Sequence, residues 1–419
     1  MSSQKVIDAI LNQDLADAEL NLEIALKNES AESLESLGDA LLRLGFIQWA
    51  KRVYLQLKSI LPQYFRLNLS LAEIEIEEGN SEVALAYLLD IPKSDESYIN
   101  GLMLQADYYE DEGFIDVSEL KLKEAVELTD EPLVRLGLAE ILFTEGKFKE
   151  AINHYATLEA NEIFNEARIS IYERIGTCYA YLGKYEHAIS FYEKALEVEV
   201  NGQLLWEMAN LYYSLGEFER ANIYFKQLRL LEPDFNNYQY LYAKSLVEEE
   251  MLAEAYEMIK DGLKNDSYQA KNLHLASEIT YRLHLSDEAE AYLWQSLKLA
   301  DKYEETLTRL STLLLEKADF IGVKNLLAEE SELSSIALWN LAKAYQALDD
   351  RKAAFEQYQA AIEDLSENPD FLKDYAFFIK ENALKSNVIE LLTNYLATNP
   401  SDFEIAELLN AFNNDELAY

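Results

Sequence analysis

Four histidines, one cysteine and 77 carboxylates are the residues through which this chain could do chemistry. Their spacing argues against each reaction in turn. His154, His187, His274 and His284 are scattered, and only the last two fall near one another, with no Cys or further His at metal-ligand spacing. Cys178 lies between Thr177 and Tyr179 in a helical pattern, where a small, weakly polar side chain packs well. As the single cysteine it has no disulfide partner within the chain, which fits a reducing compartment. No phosphate loop, Gly-x-Gly-x-x-Gly turn or nucleophile elbow occurs. Carboxylate pairs occur at every spacing that so many acids produce by chance. The expectation is a chain that is not an enzyme and uses no metal and no cofactor.

Charge narrows the partners. With 77 acidic and 36 basic residues the net charge is −41, a field that repels phosphate backbones and anionic lipid. Nucleic-acid and membrane-surface binding are therefore disfavoured, and a protein or peptide of basic character is favoured. Solubility of a long, apolar-cored chain is the competing reason for so many acids. The N-terminus, MSSQKVIDAILNQD, lacks the basic start and apolar run of a secretory signal. No apolar stretch approaches the ~18 residues of a membrane span. A cytoplasmic location is expected.

Binding residues need elements to hold them, and the sequence repeats its elements. Ala16, Ala50, Ala84, Ser118, Ala151, Ala188, Ala221, Ala255, Ala289, Val323, Ala354 and Val388 form a ladder of short side chains, with steps of 34, 34, 34, 33, 37, 33, 34, 34, 34, 31 and 34. A period near 34 is that of stacked helical hairpins. Gly45, Gly79, Gly113, Gly146, Gly183 and Gly216 each stand five residues before a ladder position, where a left-handed residue would end the first helix. Further along, Glu250, His284 and Ala318 take that place. Pro62, Pro92, Pro132, Pro233, Pro369 and Pro400 all fall between hairpins. Within a unit, Tyr172, Ile175, Gly176 and Tyr179 precede Gly183, and Tyr185, Ala188, Tyr192 and Ala195 follow it, three and four apart. Leu34, Leu37, Gly38 and Leu41, followed by Ala50, Tyr54 and Leu57, repeat the scheme.

At these residues the chain resembles the tetratricopeptide repeat family, in a bacterial cytoplasmic form. Met208, Ala209, Tyr212, Gly216, Phe218, Ala221, Phe225 and Pro233 match the pattern again, and the resemblance covers nearly the whole chain. It implies an all-α, right-handed superhelical solenoid of about twelve hairpins. Residues 1–30 are expected to form an N-terminal capping hairpin, with a second helix running through Ala16, Leu20 and Ile24. Residues 31–400 form the array, with curvature changes near 161–168 and 329–335, where the period breaks. Residues 401–419 form a closing helix, begun by a capping box at Ser401-Asp402-Phe403-Glu404.

The resemblance also implies a concave groove lined by first helices. Counting from the small residue of each first helix, it places Trp206, Asn210, Tyr213, Tyr240, Lys244, His274, Tyr281 and Arg282 along the middle of that groove. Glu35, Asp39, Glu73, Asp107, Asp111 and Glu140 give an acidic entrance, and Trp339, Lys343, Lys373 and Lys380 a mildly basic end. Two readings of the aromatic centre stay open: anchors for a ligand, or rings packed by superhelical curvature. The acidic run is either a steering surface or a solvated face. The residue set of chaperone-tail adaptors is incomplete, because Trp206, Leu241 and Leu275 stand where other residues are needed beside Asn210, Lys244 and Lys271. The function implied is a non-catalytic scaffold that binds a peptide or helix of a partner protein. A peptide-pheromone-type sensor and a self-assembling structural scaffold are the alternatives.

Overall fold

The computed structural model describes residues 2–159, 164, 169–235, 238–265, 269–299, 303–382 and 387–416. Among these residues there are twenty-five helices and no strand, an all-α helical-repeat solenoid. The helices pair as twelve hairpins, from Ser2–Leu11 with Leu15–Asn28 to Pro369–Asn382 with Val388–Thr398, and Phe403–Glu416 follows the last pair. The chain divides into two compact units, Met1–Leu204 and Leu205–Tyr419.

One turn recurs in every hairpin whose turn is described. Gly45 has φ 79°, and the next amide, of Phe46, reaches back to the Leu41 carbonyl at 2.9 Å. The other five turn glycines also have positive φ. Glu250, His284, Ala318 and Asp349 adopt the same conformation with φ of 57°, 63°, 57° and 60°, although each carries a Cβ. Their backbone hydrogen bonds are the same: the Asp319 amide donates to the Leu314 carbonyl at 2.9 Å. The turn is thus imposed by packing of the hairpin, with glycine easing it where present.

The ladder from Ala50 to Val388 is buried at every rung, which lets each second helix lie close to its first. The first rung differs. Ala16 is exposed, as are Leu20 and Ile24, and the buried residues of that helix are Ala18, Asn21, Leu22 and Ala25. The turn explains the shift: Gln13 is the left-handed residue here (φ 61°), and the residue five positions on is Ala18. Asp14 then caps the helix by accepting from the Asp17 amide at 3.1 Å.

At Gly38 and Gly176 the space left on the first helix is filled by a second-helix tyrosine. A Cβ on Gly38 would lie 2.6 Å from the Tyr54 ring, and one on Gly176 2.6 Å from the Tyr192 ring and 3.3 Å from the Ala188 carbonyl oxygen. Four of the prolines lie outside helices, while Pro132 and Pro369 are first residues of theirs, where no amide is required. The 31-residue step from Val323 to Ala354 coincides with a second helix of only 8 residues, Phe320–Leu327. The stretch 161–168, where the 37-residue step departs from the period, lies outside the described residues apart from Phe164.

In the closing helix, Ile405 is fully buried among Tyr375, Leu392 and Tyr395 of the second unit's last core cluster. Its cap is Asp402, not the expected Ser401. The Asp402 carboxylate accepts the Ile405 amide at 3.2 Å and the Tyr395 hydroxyl at 3.1 Å.

Candidate interaction surface

In the second unit, three consecutive first helices, Gly202–Ser214, Tyr238–Glu248 and Ala270–Arg282, carry the expected groove residues. Each turns a small residue (Ala209, Ala243 or Ser277) into the hairpin contact, where all three are buried. The residues three before and one or four after lie about 40–100° round the helix from that contact, on the strip that borders it. Trp206 and Tyr240 are half-buried at the first of these positions, Asn210 and Lys244 at the second, and Tyr213 at the third. Tyr281 is 45% exposed.

The aromatic rings support one another without sinking into the core. The Trp206 ring lies 6.0 Å from that of Phe225 and 6.2 Å from that of Phe235. Tyr213 meets Phe218 edge-on at 5.4 Å. The Lys244 ammonium sits 5.9 Å from the ring centres of both Tyr213 and Tyr240, and Lys271 stands 5.1 Å from Tyr240 on its other neighbour. Tyr212, one residue away from Tyr213, is buried and stacks on Tyr224, so the two registers separate cleanly.

Two expected groove residues are otherwise engaged. His274 is only 4% exposed. Its Nε2 lies 2.8 Å from the Thr306 hydroxyl and 3.1 Å from that of Ser296, and its Nδ1 is 3.4 Å from Glu305. The short imidazole is covered by the next hairpin, where the longer Trp206 and Tyr240 side chains still reach solvent. Arg282 donates to Glu250 at 2.7 Å, a pairing between neighbouring hairpins.

In the first unit the six acidic positions fall into two groups. Glu35 accepts the Tyr64 hydroxyl at 2.7 Å and Asp39 that of Tyr54 at 2.7 Å, while Glu140 pairs with Arg174 at 3.1 Å. Glu73, Asp107 and Asp111 are exposed and have no basic residue within 4.0 Å among the described residues. Solvent reaches Glu73 and Asp107, yet surrounding protein strips enough water to raise both pKa values, and Glu77 and Asp111 add like-charge repulsion. Glu110 is raised for the same reasons, burial first and then Asp107, Asp111 and Glu140. Cys178 is fully buried, and burial, with the Glu140 charge behind it, pushes its thiol up to about 12. That makes it a packing residue.

A third surface lies at the late end, where Trp339 and Lys343 are expected groove residues. Leu315, Phe320, Lys343, Tyr358, Asp374 and Phe377 line an open groove of about 440 Å³ in the late repeats. There Lys343 pairs with Asp374 at 3.1 Å, and the Trp339 indole donates to the same carboxylate at 3.1 Å. Lys343 was legible as a groove residue; its partner was not, because it comes from the next first helix.

Residues 112–163 match the family described as YpiA-like tetratricopeptide repeats, 336–402 its C-terminal repeats, and 169–201 the general tetratricopeptide repeat. The TPR repeat-containing protein YpiA of Bacillus subtilis (strain 168) is 27% identical over 369 residues, 87% of each chain. Among solved structures, the chain is similar to YrrB, described as a TPR protein with an unusual peptide-binding site, at 18% identity and TM-score 0.39, covering 47% of this chain and 97% of that one. It is also similar to a chain of the Naa15/Naa10 complex bound to HypK-THB, at 15% identity and TM-score 0.43, covering 90% of this chain and 64% of that one. Among the described residues no helix is long and apolar enough to cross a membrane. Repeats of this kind generally mediate protein–protein interaction, and with the twelve hairpins, their shared turn and these sequence matches, the chain is a tetratricopeptide-repeat protein.

Proposed function

We propose that the chain is a non-catalytic interaction scaffold of the cytoplasm whose second unit receives a peptide or helix of a partner protein along its first-helix face. One observation carries this reading. Trp206, Tyr213, Tyr240 and Tyr281 occupy the non-core register of consecutive repeats and keep part of their surface in water. Aromatic residues that are rigid and only partly covered are the usual anchors of an interface. Asn210 and Lys244, beside them, supply polar contacts for a ligand backbone. In the first unit, the crowded carboxylates Glu73, Asp107, Glu110 and Asp111 would draw a basic segment of the partner and speed its capture at low salt. Neither nucleic acid nor membrane is a partner in this reading.

The test is capture from a cell lysate by the wild type and by a Trp206→Ala/Tyr240→Ala/Tyr281→Ala variant whose circular dichroism shows it folded. A partner held only by the wild type is the expected result. Identical partners on both would move the site off this face, and none on either would favour self-assembly.

A further inference from the structure

In the first unit, three aromatic rings gather where two successive first helices end. Phe143 lies near the end of Pro132–Thr144, Phe148 opens the second helix Phe148–Ala156, and Tyr181 is the last residue of Ile171–Tyr181. The Phe148 and Tyr181 rings stack 4.8 Å apart with an interplanar angle of 5°, and Phe143 meets them edge-on at 5.5 and 5.8 Å. The two phenylalanines are half-buried and hold the tyrosine ring in place, yet Tyr181 is 66% exposed. One of its faces lies on Phe148, so the face turned to water is the other.

Other rings of this unit are supplied with a cation by the chain itself. Tyr87 has Lys58, Tyr98 has Lys93, Tyr179 has Lys184 and Tyr172 has Lys194, at 5.7, 5.7, 5.8 and 5.5 Å from the ring centres. Among the described residues no cation comes within 6 Å of Phe143, Phe148 or Tyr181. The row leading to the stack is acidic. Glu110 and Asp111 hold on Tyr98–Asp111 the places that Phe143 and Thr144 hold one repeat on, 33 residues later (143 − 110 and 144 − 111). Both are exposed, and neither has a basic residue within 4.0 Å among the described residues. Glu110 has its pKa raised by burial first and then by the charges of Asp107, Asp111 and Glu140. Glu140 stands one turn before Phe143, so the carboxylate row and the ring stack adjoin.

We infer that the open face of Tyr181, backed by Phe148, is a docking platform for an arginine side chain of a basic peptide, with Glu110 and Asp111 receiving that peptide's neighbouring cations. A guanidinium is planar and weakly hydrated, so it lies flat on the ring as a third layer of the stack. An ammonium is a compact, strongly hydrated point charge and gains less there. The carboxylates attract either cation, and the ring face tells them apart. Charge fixes the occupant: a net charge of −41 repels an acidic segment, and a neutral one leaves the carboxylate row unmatched. The inference rests on the reading above in which the first unit draws a basic segment of the partner, and it adds which side chain is recognised and where.

The test uses the full chain and three short fluorescein-labelled peptides, alike except for Arg, Lys or Gln at the same positions, with fluorescence anisotropy as the readout. The wild type is expected to bind the Arg peptide about threefold more tightly than the Lys peptide, the gain of one exposed cation–π contact. Both should bind more tightly than the Gln peptide at low salt. Tyr181→Leu should bring the Arg peptide down to the level of the Lys peptide, whereas Tyr181→Phe should keep the margin. A Glu110→Gln/Asp111→Asn variant should weaken both basic peptides. Equal binding of the Arg and Lys peptides by the wild type, or a margin that survives Tyr181→Leu, overturns the inference. In that case, loss of both basic peptides in the carboxylate variant leaves the reading of a steering surface standing. A wild type that prefers neither basic peptide to the Gln peptide contradicts both.

Discussion

At Gly176 the backbone lies so near Tyr192 that a methyl group would sit 2.6 Å from the ring, while at Ala318 a methyl is carried on a backbone with φ 57°. The two sites make opposite predictions. Gly176→Ala should destabilise the chain by about 1–2 kcal/mol, overpacking outweighing the gain in helix propensity. Ala318→Gly should stabilise by about 1 kcal/mol, because the left-handed conformation is strained for a residue with a Cβ. Thermal unfolding of the two variants should move in opposite directions from wild type; a shared direction would mean that the turn strain has been misjudged. The same residues show what could be read from sequence. Six turns announced themselves by glycine, and the ladder then gave the buried second-helix rungs. At the first hairpin the turn residue is Gln13, which carries no such signal, so the ladder was placed on exposed Ala16 when Ala18 is the buried rung. The expectation of a surface His274 fails for a related reason: its position on the helix is legible, but cover by Ser296 of its own hairpin and Thr306 of the next is not.

The hairpin is the element that positions everything else, and side-chain caps fix some of its helix ends. Asp402 holds the start of the closing helix through the Ile405 amide and receives the Tyr395 hydroxyl from the preceding helix. Asp402→Ala should therefore lower the melting temperature of the C-terminal repeats, whereas Ser401→Ala should leave it near wild type, a contrast readable by circular dichroism. The reverse order would return the cap to Ser401. Sequence alone could not choose, because Ser and Asp are adjacent and both are good caps. Among first helices, the split between core and surface aromatics was legible from spacing: Tyr212 is buried and Tyr213 is not, one residue apart. Which cations on those helices find carboxylates was less so, since pairs such as Lys343–Asp374 and Arg282–Glu250 join different hairpins.

Across the whole molecule, the acidic excess and the repeat leave two kinds of surface on two units. The first unit presents carboxylates whose pKa values are raised by burial and then by one another's charge, and the second presents partly exposed aromatic rings. Nothing in the composition marks the division near Leu204, where no Pro- or Ser-rich run separates the units and the helix Gly202–Ser214 passes through. The central claim is that the first-helix face of the second unit is where a partner sits. Hydroxyl-radical footprinting of the chain, free and with a captured partner, measures it most directly. Trp206, Tyr213, Tyr240 and Tyr281 should lose reactivity on binding, while exposed Trp294 on a second helix should keep its own. Unchanged labelling of those four residues, with protection appearing elsewhere, would contradict the claim.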